Sequence, residues 1–192
     1  MKFFFAIILG LSIALTAGIS FAKPLQTKYK TYEQPTLLKG VTIQGRVEYH
    51  RNDTIAFMRL TSDQTFLGQW LPANTGLHFT ENGEWNWCFL GKDWEIQGHK
   101  MHGGGHEWQT LFYPSGKLHS GGLTDDKVID GIPCAAGSFW NEVFGGGGRT
   151  YFYESGKLKY AKVAKTVTYR GQEIKKGKHV KLAEDGSILL VK

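Results

Sequence analysis

Phe112-Tyr113-Pro114-Ser115-Gly116-Lys117-Leu118 is answered later in the chain by Phe152-Tyr153-Glu154-Ser155-Gly156-Lys157-Leu158. In each phrase a Ser-Gly pair separates two apolar runs. Pro114 presets one turn angle and the glycine supplies the left-handed one, so each phrase predicts a β-hairpin. Asn52-Asp53, Asn82-Gly83 and Asp185-Gly186 are chemically related turns between similar runs. Counting from the second turn residue, an apolar residue falls at minus four (Tyr49, Phe79, Phe112, Phe152, Leu182) and at plus two (Ile55, Trp85, Leu118, Leu158, Ile188). Leu60, Leu90, Leu123 and Val163 hold plus seven, and Gly68, Gly98, Gly131 and Gly171 hold plus fifteen. The turns lie 30, 33, 40 and 30 positions apart, counting from 53 to 83, 116, 156 and 186, which is the spacing of a repeat architecture.

The expected fold is therefore all-β, with tandem β-hairpin repeats of about four and a half units forming an extended antiparallel sheet or meander. Each unit reads strand, turn, strand, turn, and a short strand ending at the recurrent glycine. Asp63, Asp93 and Asp126 stand at plus ten, with Thr166 in the fourth unit. An aspartate there is expected to fold onto its own backbone two residues on and start the second turn. The spacing places a truncated unit at 36–45, units near 46–71, 72–104, 105–137 and 147–176, and a C-terminal cap at 177–192. No window past the N-terminus keeps apolar residues at helical spacing.

Residues 1–22 read as a cleaved signal peptide: Lys2, an apolar run from Phe3, and small residues Ser20 and Ala22 before Lys23. The alternative is an uncleaved anchor helix. Residues 23–35 then form an N-terminal extension to a single domain, 36–192, that is exported to a periplasm or secreted. The net charge is +6, and lysines crowd the C-terminal end. Such a balance suits an anionic partner or a solvated face, and export directs the expectation away from nucleic acid. Cys88 and Cys134 are the two cysteines; one disulfide or two separately buried thiols both fit an oxidising compartment.

The two aromatic-x-x-x-Gly-Lys-Leu phrases resemble the core of MORN-like repeats. They are most similar to the longer variety found in exported bacterial proteins and in antitoxin-like repeat proteins. Leu123 to Cys134 likewise resembles a phrase recurring in bacterial repeat proteins. The resemblance covers most of 36–192 and implies a β-hairpin sheet used as a scaffold for protein or lipid contacts.

Two stretches depart from the regular spacing, around 99–108 and 137–148, and insertions in repeat proteins gather on a binding face. The first holds His99, His102 and His106 with Glu107, a donor set suited to zinc or copper. The second holds Trp140 and Phe144 before Gly145 to Gly148, which lack the lysine and hydroxyl of a phosphate cradle. Trp85 and Trp87 fall on positions that other units fill with apolar side chains and are read as core. Trp94, Trp108 and Trp140 have no such equivalents and, with Phe144, are the expected contact residues. No nucleophile, base or paired carboxylates stand out, so the expected role is a non-enzymatic binding or scaffold protein without a cofactor. Its partner would be an envelope or secreted macromolecule: protein, polysaccharide or an anionic surface. The alternatives are a metal-dependent hydrolase using the His99, His102 and His106 loop, and a purely structural envelope protein.

Overall fold

A computed structural model of the chain describes residues 28–105, 108–138 and 148–192. These residues contain no helix, and 11 strands form one antiparallel meander. In sheet order the strands are β1 (Lys28–Leu38), β2 (Val41–Tyr49), β3 (Ile55–Arg59), β6 (Gly76–Phe79), β7 (Trp85–Phe89) and β10 (Gln109–Phe112). The sheet continues through β11 (Leu118–Gly122), β14 (Arg149–Phe152), β15 (Leu158–Lys162), β18 (His179–Leu182) and β19 (Ile188–Val191). The numbers missing from that order belong to four two-stranded ribbons. These are β4 (Gln64–Phe66) with β5 (Gln69–Leu71), β8 (Trp94–Ile96) with β9 (His99–Met101), β12 (Lys127–Ile129) with β13 (Ile132–Cys134), and β16 (Val167–Tyr169) with β17 (Gln172–Ile174).

The quoted phrase folds as its turn residues dictate. Gly116 N–H donates to the Tyr113 carbonyl and Tyr113 N–H to the Lys117 carbonyl, both at 2.8 Å, with Gly116 at φ +79°. This is a tight turn closed by a left-handed residue, which forces a bulge in the returning strand. The same pair of bonds closes the turns at Asp53, Gly83, Gly156 and Gly186. A register shift follows at Tyr49, Phe79, Phe112, Phe152 and Leu182, one per hairpin. Because a bulge inserts one residue, it resets the in-and-out alternation of everything after it.

The recurrent glycine does something different from closing a short strand. Leu67, Gln97, Asp130 and Arg170, just before it, have φ of 44°, 50°, 49° and 49°, and each following glycine is left-handed too. Two successive left-handed residues make the two-residue hairpin turn that matches strand twist, so the chain doubles back into a further strand and builds a ribbon. Lys39-Gly40 makes the same turn between β1 and β2. Residues 28–49 thus form the first hairpin of the main sheet, across the stretch where the spacing suggested an extension and a truncated unit.

The plus-ten side chains are explained by that doubling back. Asp63, Asp93 and Asp126 accept the backbone N–H of Ala73, Gly103 and Ala136 at 2.8, 2.9 and 2.8 Å. Thr166 accepts that of Lys176 at 3.1 Å. Each bond spans ten residues and clamps the base of a ribbon; none starts a turn two residues on.

The ribbons supply the second layer of the core. Phe66 meets Phe79 and Trp85 edge-on at 5.8 and 5.2 Å, and Ile96, Met101, Ile129 and Ile174 are buried in the same cluster as Met58, Leu77, Phe112 and Phe152. Each such side chain contributes roughly 1.5–3 kcal/mol on leaving water. Ribbon tips also fasten the next hairpin: Leu158 N–H donates to Asp130 Oδ2 at 2.7 Å and Leu118 N–H to Gln97 Oε1 at 3.2 Å. Cys88 lies in β7 opposite Leu77 and Thr110, whereas Cys134 lies in a ribbon opposite Lys127. Both are free buried thiols, so the disulfide left open by the sequence is not formed.

Candidate functional site

With one face of the sheet buried under ribbons, the side chains that alternate with the core residues line the other. The backbone register carries one row of them across ten strands. Glu48 stands opposite Phe57, Phe57 opposite His78, His78 opposite Trp87, and Trp87 opposite Leu111. The row continues through Ser120, Tyr151, Tyr160, Lys181 and Leu190. Directly opposite side chains in an antiparallel sheet are close enough to touch. His78 stacks on Trp87 with ring centroids 3.5 Å apart and leans on Phe57 at 4.6 Å. Farther on, Tyr151 meets Tyr160 at 5.7 Å, and Tyr160 lies parallel to His179 at 5.4 Å.

Trp87 was expected in the core because it shares a position with Phe57 and Tyr160. The bulge corrects this: Trp85 points into the core, and Trp87, past the extra residue, emerges half-buried on the outer face. Phe57, His78, Tyr151, Tyr160 and Lys181 are functional candidates that the sequence reading passed over. Their signal was present at minus five and plus four, positions that are ring-bearing in several hairpins although they alternate with the core.

At the C-terminal end of this face, His119, Tyr151, Lys159, Tyr160, Lys181 and Lys192 line an open groove of about 580 Å³. Leu190 also lines it, and among the described residues no aspartate or glutamate side chain contributes to the lining. Burial, then the charges of Lys159 and Arg149, holds the His119 imidazole below its usual pKa, so it is neutral at pH 7. Burial and then Tyr151 push the Tyr160 phenol upward, keeping its proton. The groove thus combines neutral ring faces with ammonium groups that nothing in the lining neutralises.

The residues singled out by sequence are placed differently. Trp108 is buried beneath the surface: it stacks on His102 at 4.4 Å and packs over Gly122, where an added Cβ would come within 2.5 Å of its ring. A ring seated against two glycine backbones, Gly122 and Gly137, is a packing element, not a surface contact. Trp94 is half-buried on a ribbon, donates its Nε1–H to the Trp70 carbonyl at 2.8 Å, and lies under Lys92 Nζ at 4.7 Å. The exposed neighbour is Trp70. Trp140, Phe144 and His106 lie outside the described residues.

His99 and His102 do not share a neighbourhood. His99 packs on Phe152 at 4.6 Å, and its pKa is lowered chiefly by burial. His102 instead has Nδ1 3.6 Å from Asp93 and Nε2 3.3 Å from the Gly137 carbonyl. Among the described residues no group of three or more histidine, cysteine or carboxylate side chains is placed to hold a metal ion. No family model, no curated protein and no solved structure matches the chain.

Proposed function

We propose that this chain is an exported, non-enzymatic binding or scaffold module, built from tandem MORN-like hairpin repeats, that holds an anionic envelope or secreted macromolecule against the outer face of its sheet. The observation that carries the reading is the groove whose lining joins three lysines to two tyrosines with no aspartate or glutamate side chain among the described residues. Cations gathered on one face create a local positive potential that raises the concentration of an anionic partner and speeds its capture. The tandem-repeat reading draws support from the turn, bulge and ribbon clamp that recur at fixed offsets. Export draws support from the sequence of residues 1–22.

The test is cosedimentation of the mature protein with anionic envelope fractions. A variant carrying Lys159→Glu, Lys181→Glu and Lys192→Glu is compared with one carrying Lys175→Glu, Lys176→Glu and Lys178→Glu. Both change the net charge equally. Only the first alters the groove, so it alone should lose binding, by at least tenfold. Equal loss in both, or retained binding in the first, refutes the outer face as the binding face.

A further inference from the structure

Resting on that reading, we infer that the C-terminal groove is a subsite for a linear polysaccharide bearing carboxylates, a polyuronate, whose sugar rings lie on Tyr151 and Tyr160 while Lys159 and Lys181 hold its carboxylates. Tyr151 and Tyr160 occupy directly opposed register positions on β14 and β15, and Lys181 extends the same line onto β18. Successive strands are about 4.8 Å apart, so the line runs across the strands as a shallow track. A linear polymer fits a track better than a compact ligand does. The apolar C–H face of a pyranose packs on an aromatic ring, and the phenol oxygen remains available at the edge for sugar hydroxyls.

The rim chooses the charge. Lys159, Lys181 and Lys192 present ammonium groups that form charge-assisted hydrogen bonds with carboxylates, and among the described residues no aspartate or glutamate side chain stands in the lining to repel the polymer. Neutral His119 offers one donor and one acceptor, the combination that a hydroxyl needs.

Other anions suit the groove less well. Compact phosphate groups are held most tightly where convergent backbone N–H groups cradle them. Here the nearby backbone of β14, β15 and β18 is committed to sheet pairing, while the lining lysines bind carboxylate and phosphate alike, so phosphate-bearing probes are included in the experiment. A bilayer is entered by apolar side chains that protrude from the surface. Here Leu190 at the groove and Leu189 beside it are exposed, whereas Tyr151 and Tyr160 are half-buried, so vesicles are a separate arm of the experiment. Single-stranded nucleic acid would use the same stacking and charge, and it is therefore an explicit arm of the experiment.

Isothermal titration of the mature protein would use four probes: an oligogalacturonate, its neutral methyl ester, phosphatidylglycerol vesicles and a thymidine oligonucleotide. The expected result is saturable binding of the oligogalacturonate, at least tenfold weaker binding of the ester, and weaker binding of the other two anions. Lys159→Gln with Lys181→Gln should weaken oligogalacturonate binding at least tenfold and reduce its salt dependence. Tyr160→Thr, which keeps a hydroxyl and a strand-forming residue, should weaken both the acid and the ester. Tighter binding of vesicles or oligonucleotide overturns the polyuronate assignment while leaving the anion-binding face standing. Absence of binding to all four probes overturns the assignment, and the envelope cosedimentation then decides the broader reading separately. Unchanged affinity in Tyr160→Thr, with its thermal melt intact, removes the sugar-stacking floor.

Discussion

At the scale of single residues, the same imidazole chemistry serves different surroundings. His119 sits among tyrosines and lysines on the outer face, and His99, in the ribbon strand β9, sits against Phe152. For both, burial lowers the pKa from the ordinary 6.5, with Lys159 and Arg149 adding to the effect at His119 and Lys127 at His99. Asp130 and Glu95 oppose it at His99. The folded protein therefore binds fewer protons than the unfolded chain in the interval below pH 6.5, and stability must fall as the pH is lowered through that interval. The urea midpoint, measured from pH 8 to pH 5, should decline for the native sequence. It should decline less for His119→Gln. An identical slope in the variant would show that His119 carries none of the linkage.

At the scale of elements, one residue position reveals how much geometry outranks composition. Leu67 sits at φ 44° in the turn of the β4–β5 ribbon, and its side chain is 52 % exposed. A left-handed conformation costs most side chains about 1–2 kcal/mol, and asparagine tolerates it best after glycine. Leu67→Asn therefore exchanges an exposed aliphatic group for one suited to the backbone, and should raise stability by about 0.5–1 kcal/mol in denaturant unfolding. A decrease would mean that Leu67 packs in a way its exposure conceals. The ribbons tolerate such residues because their bases are clamped by Asp63, Asp93, Asp126 and Thr166 and their inner faces are buried.

Across the whole molecule, contact is ordered along the chain. The strands of the main sheet pack most heavily on their sheet neighbours, and each ribbon strand on its mate. A structure connected this way opens from its ends more readily than from its middle. Amide hydrogen exchange should be slowest in β7, β10 and β11 and faster toward β1 and β19. Uniform protection along all 11 strands would instead identify a single cooperative unit. The two ends also differ in kind. β1 carries lysines, Pro35 and a register shift between Tyr32 and Thr36, all of which discourage pairing with another chain. β19 is Ile-Leu-Leu-Val, with Leu189 and Leu190 exposed.

Local chemistry was enough to specify the five hairpin turns, the antiparallel meander and the buried register of Phe79, Phe112, Leu118 and Phe152, because turn residues and apolar alternation act between near neighbours in the chain. It also signalled Gly68, Gly98, Gly131 and Gly171, but their ribbons depend on a preceding left-handed residue that leucine or arginine does not announce. Tertiary structure alone decided which alternate residues face outward, because one extra residue at each bulge reverses the direction of every side chain after it. That reversal put Trp87 and Tyr160 on the open face beside Tyr151, and the closeness of Gly122 and Gly137 put Trp108 inside. The groove owes its charge to lysines visible in the chain, and its shape to strands that only the sheet brings together.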